Sequence, residues 1–136
     1  MTPLSTSPPV LIIDDQGSLV KLLTGLFRQI GYADVDHARD GISGAIAMAR
    51  RRYALVLCDW TMEPVDGLTL IRAVRADEHL KDTPFLMMTA RHRAEDIAEA
   101  KAAGVDGLIS KPFTLEDLKM KVASLLGGAA GPPAAP

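Results

Sequence analysis

The sequence has few residues that crosslink a chain or anchor it in a membrane. It contains a single cysteine, Cys58, which excludes an internal disulfide and a cysteine-rich metal site. The first apolar run, residues 10–13, is too short for the core of a signal peptide or for a membrane span. We therefore predict a cytoplasmic protein without a membrane segment, in which Cys58 is a small buried hydrophobic residue.

Aromatic residues and basic patches are also scarce. Aromatics make up 4% of the chain, so an aliphatic core is expected. The net charge is -2 and the Lys and Arg residues are scattered, whereas a nucleic-acid-binding domain usually has a basic face. The run Arg50-Arg51-Arg52 is the exception, and we interpret it as the solvated end of a helix, where cations suit the helix dipole.

Length and composition predict one folded domain between two irregular ends. A chain of 136 residues is long enough for a domain with its own core. Residues 1–9 are rich in Pro, Ser and Thr and are expected to be disordered. Residues 127–136 are rich in Gly, Ala and Pro and form either a flexible tail or the start of a linker. The domain is therefore predicted to cover residues 10–126.

Apolar, strand-like segments alternate with segments of helical periodicity along this domain. The predicted strands cover residues 10–13, 33–38, 53–58, 84–88 and 105–110. The second of them alternates between apolar and polar residues, which suits the edge of a sheet. A helical pattern follows each strand, and strand–helix alternation implies an α/β fold with a parallel sheet and helices on both faces. No internal repeat is found.

The helical segments carry start signals and apolar faces. Asp40 is expected to cap the second helix, and Thr114-x-x-Asp117 resembles a capping box before the last one. The fourth helix, about residues 93–103, is mostly polar and is expected to pack loosely. Residues at helical spacing predict the apolar sides of the first helix (Leu19, Leu22, Leu23, Leu26, Phe27 and Ile30, ending at Gly31) and of the second (Ile42, Ala45, Ile46 and Ala49).

Chemistry-bearing residues follow four of the predicted strands. They are Asp14-Asp15, Asp59, Thr89-Ala90 and Lys111, and the carboxyl ends of parallel strands lie at one edge of a sheet, where such folds bind ligands. Three crowded carboxylates repel one another, and Mg²⁺, or Mn²⁺ in its place, is the natural compensation because it prefers oxygen ligands. Lys111 adds a point charge suited to a phosphate.

The same residues suggest phosphoryl transfer, with Asp59 as the nucleophile. The charge on the transferred oxygens would be balanced by Mg²⁺ and Lys111, and Thr89-Ala90 would complete the cradle with a hydroxyl and a backbone N–H. The alternative is that a parallel α/β domain holds these polar strand ends by chance. Other nucleotide folds fit worse, because no G-x-G-x-x-G or Walker loop is present and the acidic first loop would repel a bare phosphate.

Four short motifs together resemble one family. Ile13-Asp14-Asp15 follows the first strand, Asp59-Trp60-x-Met62 the third, Thr89-Ala90 the fourth and Lys111-Pro112-Phe113 the fifth. In this combination the chain resembles, over about residues 9–126, the receiver domain of two-component response regulators. The resemblance implies a doubly wound, flavodoxin-like (βα)5 fold with a five-stranded parallel sheet in the order 2-1-3-4-5.

The resemblance also implies roles for individual residues. Asp59 is the expected phosphoacceptor, receiving a phosphoryl group from a phosphohistidine of a sensor histidine kinase or histidine phosphotransfer protein. Asp15, Asp59 and the backbone carbonyl of Thr61 would ligate Mg²⁺ directly, with Asp14 acting mainly through water. Lys111 would contact the phosphoryl group.

By the same resemblance, Thr89 would swing its hydroxyl to the phosphate as a switch residue, with Ala90 beside it. The Lys111–Pro112 peptide bond would be cis. The domain would itself be no enzyme beyond its own phosphorylation and dephosphorylation.

The chain departs from the family pattern at three places. Leu108 stands where the family often has the Tyr or Phe of the switch, so the usual coupling of Thr89 to an aromatic ring is missing. The proline after the phosphoacceptor is displaced by one residue to Pro64. Thr61 and Arg91 lie two residues beyond Asp59 and Thr89, at positions that influence phosphoryl lifetime in the family.

Three functions are compatible with these residues. The first is an isolated signalling receiver that binds a downstream partner through its fourth helix, fifth strand and fifth helix, about residues 93–126, and binds no nucleic acid by itself. The second is a receiver cut from a longer regulator with an output domain, joined by the Gly/Ala/Pro tail. The third is a phosphatase of the haloacid dehalogenase type, which is disfavoured because that class needs a second Asp where this chain has Thr61, and a cap for which there is no room.

Overall fold

The computed structural model describes residues 8–126. The expected disordered start, apart from residues 8 and 9, and the expected flexible tail lie outside this range. The elements in chain order are β1 (Val10–Ile13), α1 (Gly17–Gln29), β2 (Val35–Ala38), α2 (Gly41–Arg50), β3 (Leu55–Asp59), α3 (Gly67–Ala76), β4 (Phe85–Thr89), α4 (Ala94–Ala103), β5 (Gly107–Ser110) and α5 (Leu115–Leu125).

The five strands form one parallel sheet in the order β2-β1-β3-β4-β5. The predicted fold class and strand order are therefore confirmed. Each strand is followed by a helix because parallel neighbours need a crossover connection. The sheet order makes β2 an edge strand, as its alternating pattern predicted, with β5 at the other edge, and places β1, β3 and β4 side by side.

Helices cover both faces of the sheet, so the core has two parts. Every residue of β1, β3 and β4 is buried, as expected for strands with both faces covered. Within β1, Leu11 and Ile13 point into the part of the core beneath α2, α3 and α4, while Val10 and Ile12 point into the part beneath α1 and α5. Cys58 lies in this interior, as predicted.

Helix ends form where the sequence supplies capping groups. The Asp40 side chain accepts a hydrogen bond from the backbone N–H of Ser43 at 2.8 Å, which confirms it as the cap of α2. Thr114 and Asp117 form the predicted reciprocal capping box of α5. Gly104 ends α4 with a φ of 110°, a left-handed conformation that glycine adopts most readily.

The predicted apolar side of α2 was wrong. Ile42 and Ile46 are 51% and 48% exposed, and the structure instead buries Gly41, Gly44 and Met48. A Cβ atom on Gly44 would lie 2.6 Å from Cδ1 of Ile13, so α2 approaches the sheet more closely than a larger residue would permit. Periodicity identifies apolar side chains but contains no information on this close approach.

Two smaller corrections concern α1 and the arginine run. Leu22 was assigned to the apolar side of α1 but is 59% exposed, and Val20 is buried in addition to Leu23 and Phe27. Arg50 is exposed at the end of α2, as predicted. Arg51 is not simply solvated, because it pairs with Asp34 and Asp36 beside the edge strand.

The fourth helix matches its prediction of loose packing, since its only fully buried residue is Ala100. Across residues 8–126, none of the helices combines the length and the apolar composition that crossing a membrane requires.

Candidate functional site

The candidate site lies at the carboxyl edge of the sheet. Asp14 directly follows β1, Asp59 is the last residue of β3, Thr89 is the last of β4, and Lys111 directly follows β5. Because these strands are neighbours in a parallel sheet, their ends meet at one edge. The sheet order thus brings together residues that are far apart in the chain.

Three carboxylates form the centre of this site. Asp14, Asp15 and Asp59 each offer an oxygen, and these oxygens lie within 4.8 Å of one another. Asp14 and Asp59 are 2% and 6% exposed, whereas Asp15 is exposed to solvent. Two buried carboxylates and one exposed carboxylate therefore form an acidic cluster that solvent reaches at Asp15.

Asp14 has only half of its carboxylate satisfied within the described structure. Its Oδ1 accepts a hydrogen bond from the backbone N–H of Gln16 at 2.9 Å. Its Oδ2 is buried and has no hydrogen-bond partner among residues 8–126. A buried, unpaired carboxylate oxygen is costly, so this atom points to a cation or a cation-bound water as its missing partner.

The pKa of Asp14 also indicates that the site needs a cation. Burial raises the pKa of Asp14, and the negative charges of Asp59 and, less strongly, Asp15 raise the pKa further, against the opposing effects of the Gln16 N–H and of Lys111. The carboxylate form of Asp14 is therefore disfavoured in this environment. A divalent cation bound by the cluster would instead favour the carboxylate form of Asp14. The residues therefore fit Mg²⁺, which prefers carboxylate and carbonyl oxygens.

Lys111 supplies the positive charge of the site. Its Nζ lies 3.0 Å from Oδ1 of Asp59 and 4.0 Å from Oδ2 of Asp14. Its backbone N–H donates a hydrogen bond to the carbonyl oxygen of Thr89 at 2.8 Å, which ties the loop after β5 to the end of β4. The following peptide bond, Lys111–Pro112, is cis. The ammonium of Lys111 is thus held at the acidic cluster by Asp59 and by the backbone contact with Thr89.

Thr89 closes β4 with a buried hydroxyl. The side chain is 4% exposed, and its Oγ1 accepts a hydrogen bond from the backbone N–H of Arg91 at 2.8 Å. Ala90, the next residue, is exposed. The end of β4 thus places a buried hydroxyl and the exposed Ala90 at the same edge of the sheet as Lys111, whose N–H binds the carbonyl oxygen of Thr89.

The loop after β3 folds back on the strand that it leaves. The N–H of Gly67 donates a hydrogen bond to the carbonyl oxygen of Trp60 at 2.8 Å. A Cβ atom on Gly67 would lie 2.6 Å from the backbone oxygen of Asp59, so only glycine permits this approach. Thr61 is exposed in this loop, and the Glu63–Pro64 peptide bond is cis. The sequence reasoning missed the role of Gly67, although an Asp-Gly pair before a helix is a recognisable turn signal.

Trp60 is covered by an arginine that the sequence did not link to it. The indole is 3% exposed, and the guanidinium carbon of Arg91 lies 4.6 Å from the ring centroid. Arg91 also lies 4.0 Å from a carboxylate oxygen of Asp96 in α4. The residue after Asp59 and the residue two beyond Thr89 are therefore in direct contact, which connects the two loops.

Leu108 lies outside the acidic cluster. It is half-buried in β5 and packs against the core beneath α3 and α4. It also lines, with Pro112 and Met120 among others, a groove between β5 and α5. The position that often holds a rotating aromatic ring in the resembling family here holds an aliphatic side chain beside a groove.

Comparisons with known proteins agree with this geometry. The family model described as the response regulator receiver domain matches residues 10–123. Chemotaxis protein CheY of Pseudomonas aeruginosa is 38% identical over 113 residues, which cover 83% of this chain and 91% of the relative. Chemotaxis protein CheY-3 of Vibrio cholerae is 37% identical over 119 residues, which cover 88% of this chain and 92% of the relative.

Solved structures are similar over the same range. Chemotaxis protein CheY4 of Vibrio cholerae superposes with a TM-score of 0.83 at 30% identity, covering 89% of this chain and 100% of that one. The receiver domain of a sensor histidine kinase of Pseudomonas aeruginosa, with a magnesium ion coordinated in its active site cleft, superposes with a TM-score of 0.81 at 25% identity, covering 90% of this chain and 99% of that one.

Proposed function

This chain belongs to the response regulator receiver domain family, and on that premise we propose that Asp59 accepts a phosphoryl group from a phosphohistidine of a partner kinase or phosphotransfer protein. The observation that carries this proposal is the position of Asp59. It is a nearly buried carboxylate that lies 3.0 Å from the ammonium of Lys111 and shares an acidic cluster with Asp14 and Asp15. The receiver unit that performs this chemistry is residues 10–126.

In the proposed reaction a carboxylate oxygen of Asp59 attacks phosphorus. The bond between phosphorus and the histidine nitrogen breaks, its electron pair returns to the imidazole, and an acyl phosphate forms on Asp59. Lys111 moves from the free carboxylate to the phosphoryl oxygens and balances their charge. Thr89 and the backbone of Ala90, at the end of β4, donate hydrogen bonds to the same oxygens.

Asp14, Asp15, Asp59 and the backbone carbonyl of Thr61 are the proposed ligands for Mg²⁺. Asp15 and Asp59 would bind the ion directly, and Asp14 would act mainly through water. A bound Mg²⁺ would neutralise charge on the phosphoryl oxygens during transfer. The buried Oδ2 of Asp14 accepts no hydrogen bond from residues 8–126 and has only the Lys111 ammonium at 4.0 Å, which supports this assignment because a cation would complete a compensation that Lys111 supplies only in part.

The proposed output surface is formed by α4, β5 and α5. Phosphorylation would draw Thr89 toward the phosphate and change the packing of Leu108, which plays the switch role without an aromatic hydroxyl. Leu108 borders the groove between β5 and α5, and on its other side Met120 is 65% exposed. A groove that combines apolar lining residues, an exposed Met among them, with the charged side chains of Asp117 and Lys121 is a suitable surface for a downstream protein.

The test is the mass of the intact protein after incubation with acetyl phosphate and Mg²⁺. We expect one phosphoryl adduct on the parent, none on Asp59→Asn, and none on the parent with a chelator. Asp82→Asn removes an exposed acid of the loop before β4 and is the matched control, which should retain the adduct. If the parent gains no adduct, even with a phosphorylated histidine kinase as the donor, the proposed phosphoacceptor role is wrong.

A further inference from the structure

We propose that the outward face of α2 is a second docking surface, and that it binds an acidic amphipathic helix of a partner protein. This face consists of Ile42, Ala45, Ile46 and Ala49 together with the basic end formed by Arg50, Arg52 and His79. We refer to it as the α2 face. It is separate from the groove between β5 and α5, which lies at the other end of the sheet order.

The apolar half of the α2 face is a continuous stripe. Ile42 and Ile46 lie one helical turn apart and are 51% and 48% exposed, and Ala45 and Ala49 are exposed on the same side. Among the residues that the structure describes, these two isoleucines are half of the large exposed hydrophobic side chains, with Leu22 and Met120 elsewhere. Spacing of three and four residues is the pattern by which helices pack on helices.

The stripe cannot turn inward, because glycines occupy the inner side of α2. A Cβ atom on Gly44 would lie 2.6 Å from Ile13, and one on Gly41 would lie 2.8 Å from Val65. Rotating the helix to bury its isoleucines would place side chains where only hydrogen atoms now fit. The helix is therefore fixed in an orientation that exposes its most apolar side, which is costly for a monomer unless that side is used.

The basic half of the α2 face begins where the stripe ends. Ala49, the last residue of the stripe, lines a cavity of about 330 Å³ whose wall also includes Arg50, Arg52 and His79. Arg50 and Arg52 form no ion pair with any residue between 8 and 126. Arg51 differs, because its guanidinium is held by Asp34 and Asp36. Two cations are thus available for a partner.

The cavity offers little negative charge of its own. Asp77 is the one carboxylate among its lining residues, and its Oδ1 accepts a hydrogen bond from the backbone N–H of His79 at 2.8 Å. The floor includes Met48, Tyr53 and Leu80. An apolar floor with cations at its rim suits a carboxylate side chain that arrives on an apolar stem.

A second copy of this chain is a poor occupant. If two α2 helices packed antiparallel about Ala45 and Ile46, the exposed Arg39 of one copy would face Arg50 and Arg52 of the other, while the adjacent Asp40 is already engaged as the cap of its own helix. Parallel packing would place the same arginines side by side. Like charges in contact oppose both arrangements, so an acidic partner helix, with leucine-like anchors over Ile42 and Ile46, is the occupant that the charges favour.

The experiment uses a labelled synthetic peptide with leucines on one helical face and glutamates on the other. Two control peptides have the same leucines with lysines in place of glutamates, and the acidic composition in scrambled order. We expect fluorescence anisotropy to show binding of the acidic amphipathic peptide alone, weaker at high salt. Amide chemical shift changes in labelled parent protein should lie in α2 and the 77–83 loop.

Variants of exposed residues distinguish specific binding at the α2 face from non-specific hydrophobic binding. We expect the affinity for the acidic peptide to fall by about tenfold or more in Ile46→Glu. The same loss is expected in the double variant Arg50→Gln, Arg52→Gln. Leu22→Glu, an equally exposed site on the opposite side of the sheet, should leave the affinity unchanged, and the thermal midpoint of each variant verifies folding. The proposal would be overturned if the acidic peptide did not bind, if the lysine peptide bound equally well, or if the shift changes were confined to α4 and α5. It would also be overturned if the parent sedimented as a dimer that Ile46→Glu abolishes.

Discussion

The ammonium of Lys111 lies 3.0 Å from Oδ1 of Asp59, although 52 positions separate the two residues in the chain. The same ammonium lies 4.0 Å from Oδ2 of Asp14, so one cation serves two buried carboxylates. Lys111 therefore already neutralises part of the negative charge that a bound metal would neutralise. Its removal should affect folding, metal binding and phosphorylation in different directions.

For Lys111→Met we expect a loss of about 1–3 kcal/mol in the stability of the metal-free protein, since two carboxylates lose their counter-charge. We also expect tighter Mg²⁺ binding, because a competing cation is gone, together with slower formation of the phosphoryl adduct. Urea unfolding with a chelator measures the first effect, and Trp60 fluorescence during a Mg²⁺ titration measures the second. Weaker Mg²⁺ binding in the variant would contradict this account.

Asp14→Asn should stabilise the metal-free protein at neutral pH. Burial raises the pKa of Asp14 above its ordinary value of 3.8, so the folded state holds the proton more tightly than the unfolded state. The contribution of this group is favourable below the unfolded pKa and is lost as pH rises through the folded pKa. The difference in unfolding free energy between variant and parent should therefore disappear in acid.

The same substitution should weaken Mg²⁺ binding by about 10- to 100-fold if Asp14 has the proposed role of acting on the metal through water. Urea unfolding with a chelator across a pH series, and Mg²⁺ titrations at neutral pH, test the two effects separately. A metal-free variant that is less stable than the parent at neutral pH would show that Asp14 has a partner other than a cation.

Asp36→Asn should have the opposite dependence on pH. The hydrogen bond from the Tyr53 hydroxyl, at 2.6 Å, and then the Arg51 guanidinium lower the pKa of Asp36 below 3.8. Its contribution to stability is present above the unfolded pKa and is lost as pH falls through the folded pKa. The variant should be less stable at neutral pH by less than about 1 kcal/mol, since the side chain is partly exposed, and should match the parent only once the pH has fallen below the lowered pKa of Asp36 in the folded state.

Chemical or thermal unfolding of the Asp36 variant and the parent at neutral and acidic pH makes this comparison. Asp82→Asn, at an exposed acid that takes no part in this cluster, is the control for the general effect of removing one negative charge. A difference between Asp36→Asn and the parent that persists in acid would mean that shape, rather than charge, explains the effect.

Gly67→Ala should disturb both folding and phosphorylation. The new methyl group would lie 2.6 Å from the backbone oxygen of Asp59, and backbone cannot yield as a side-chain tip can, so we expect a cost of about 1–3 kcal/mol and a slower phosphoryl adduct. Gly25→Ala is the matched control within α1, where nothing lies within 4 Å of the new Cβ. It should stabilise the protein by about 0.5–1 kcal/mol.

Thermal unfolding and adduct formation with acetyl phosphate are the two measurements for this glycine pair. If Gly67→Ala forms the adduct at the parental rate, the close approach of Gly67 does not position Asp59.

The fold could be predicted because its main determinants are local. Solid apolar runs separated by helical periodicity give a parallel sheet, and a polar residue at the end of each run falls at the carboxyl edge. Asp14, Asp59 and Lys111 could therefore be placed near one another from their positions after predicted strands alone. The order of the strands came from the resemblance to the family and not from periodicity.

The contacts that the sequence did not predict depend on distances between elements. Gly44 and Gly67 permit close contacts between elements that cannot be predicted from the spacing of apolar residues. The contact at Gly44 reverses the predicted apolar side of α2. Arg91 reaches Trp60 only because the turns after β3 and β4 are neighbours. Arg51 in the same way finds Asp34 and Asp36 only once the edge strand is in place.

The sheet divides the apolar interior into two clusters, and successive residues of each central strand alternate between them. Substitutions on opposite faces have few partners in common, so their effects on stability should add. Mutations can therefore accumulate in the core beneath α1 and α5 without changing the packing of α2 against Ile13. A lineage of such chains could exchange one binding partner for another on one side of the sheet without altering the other side.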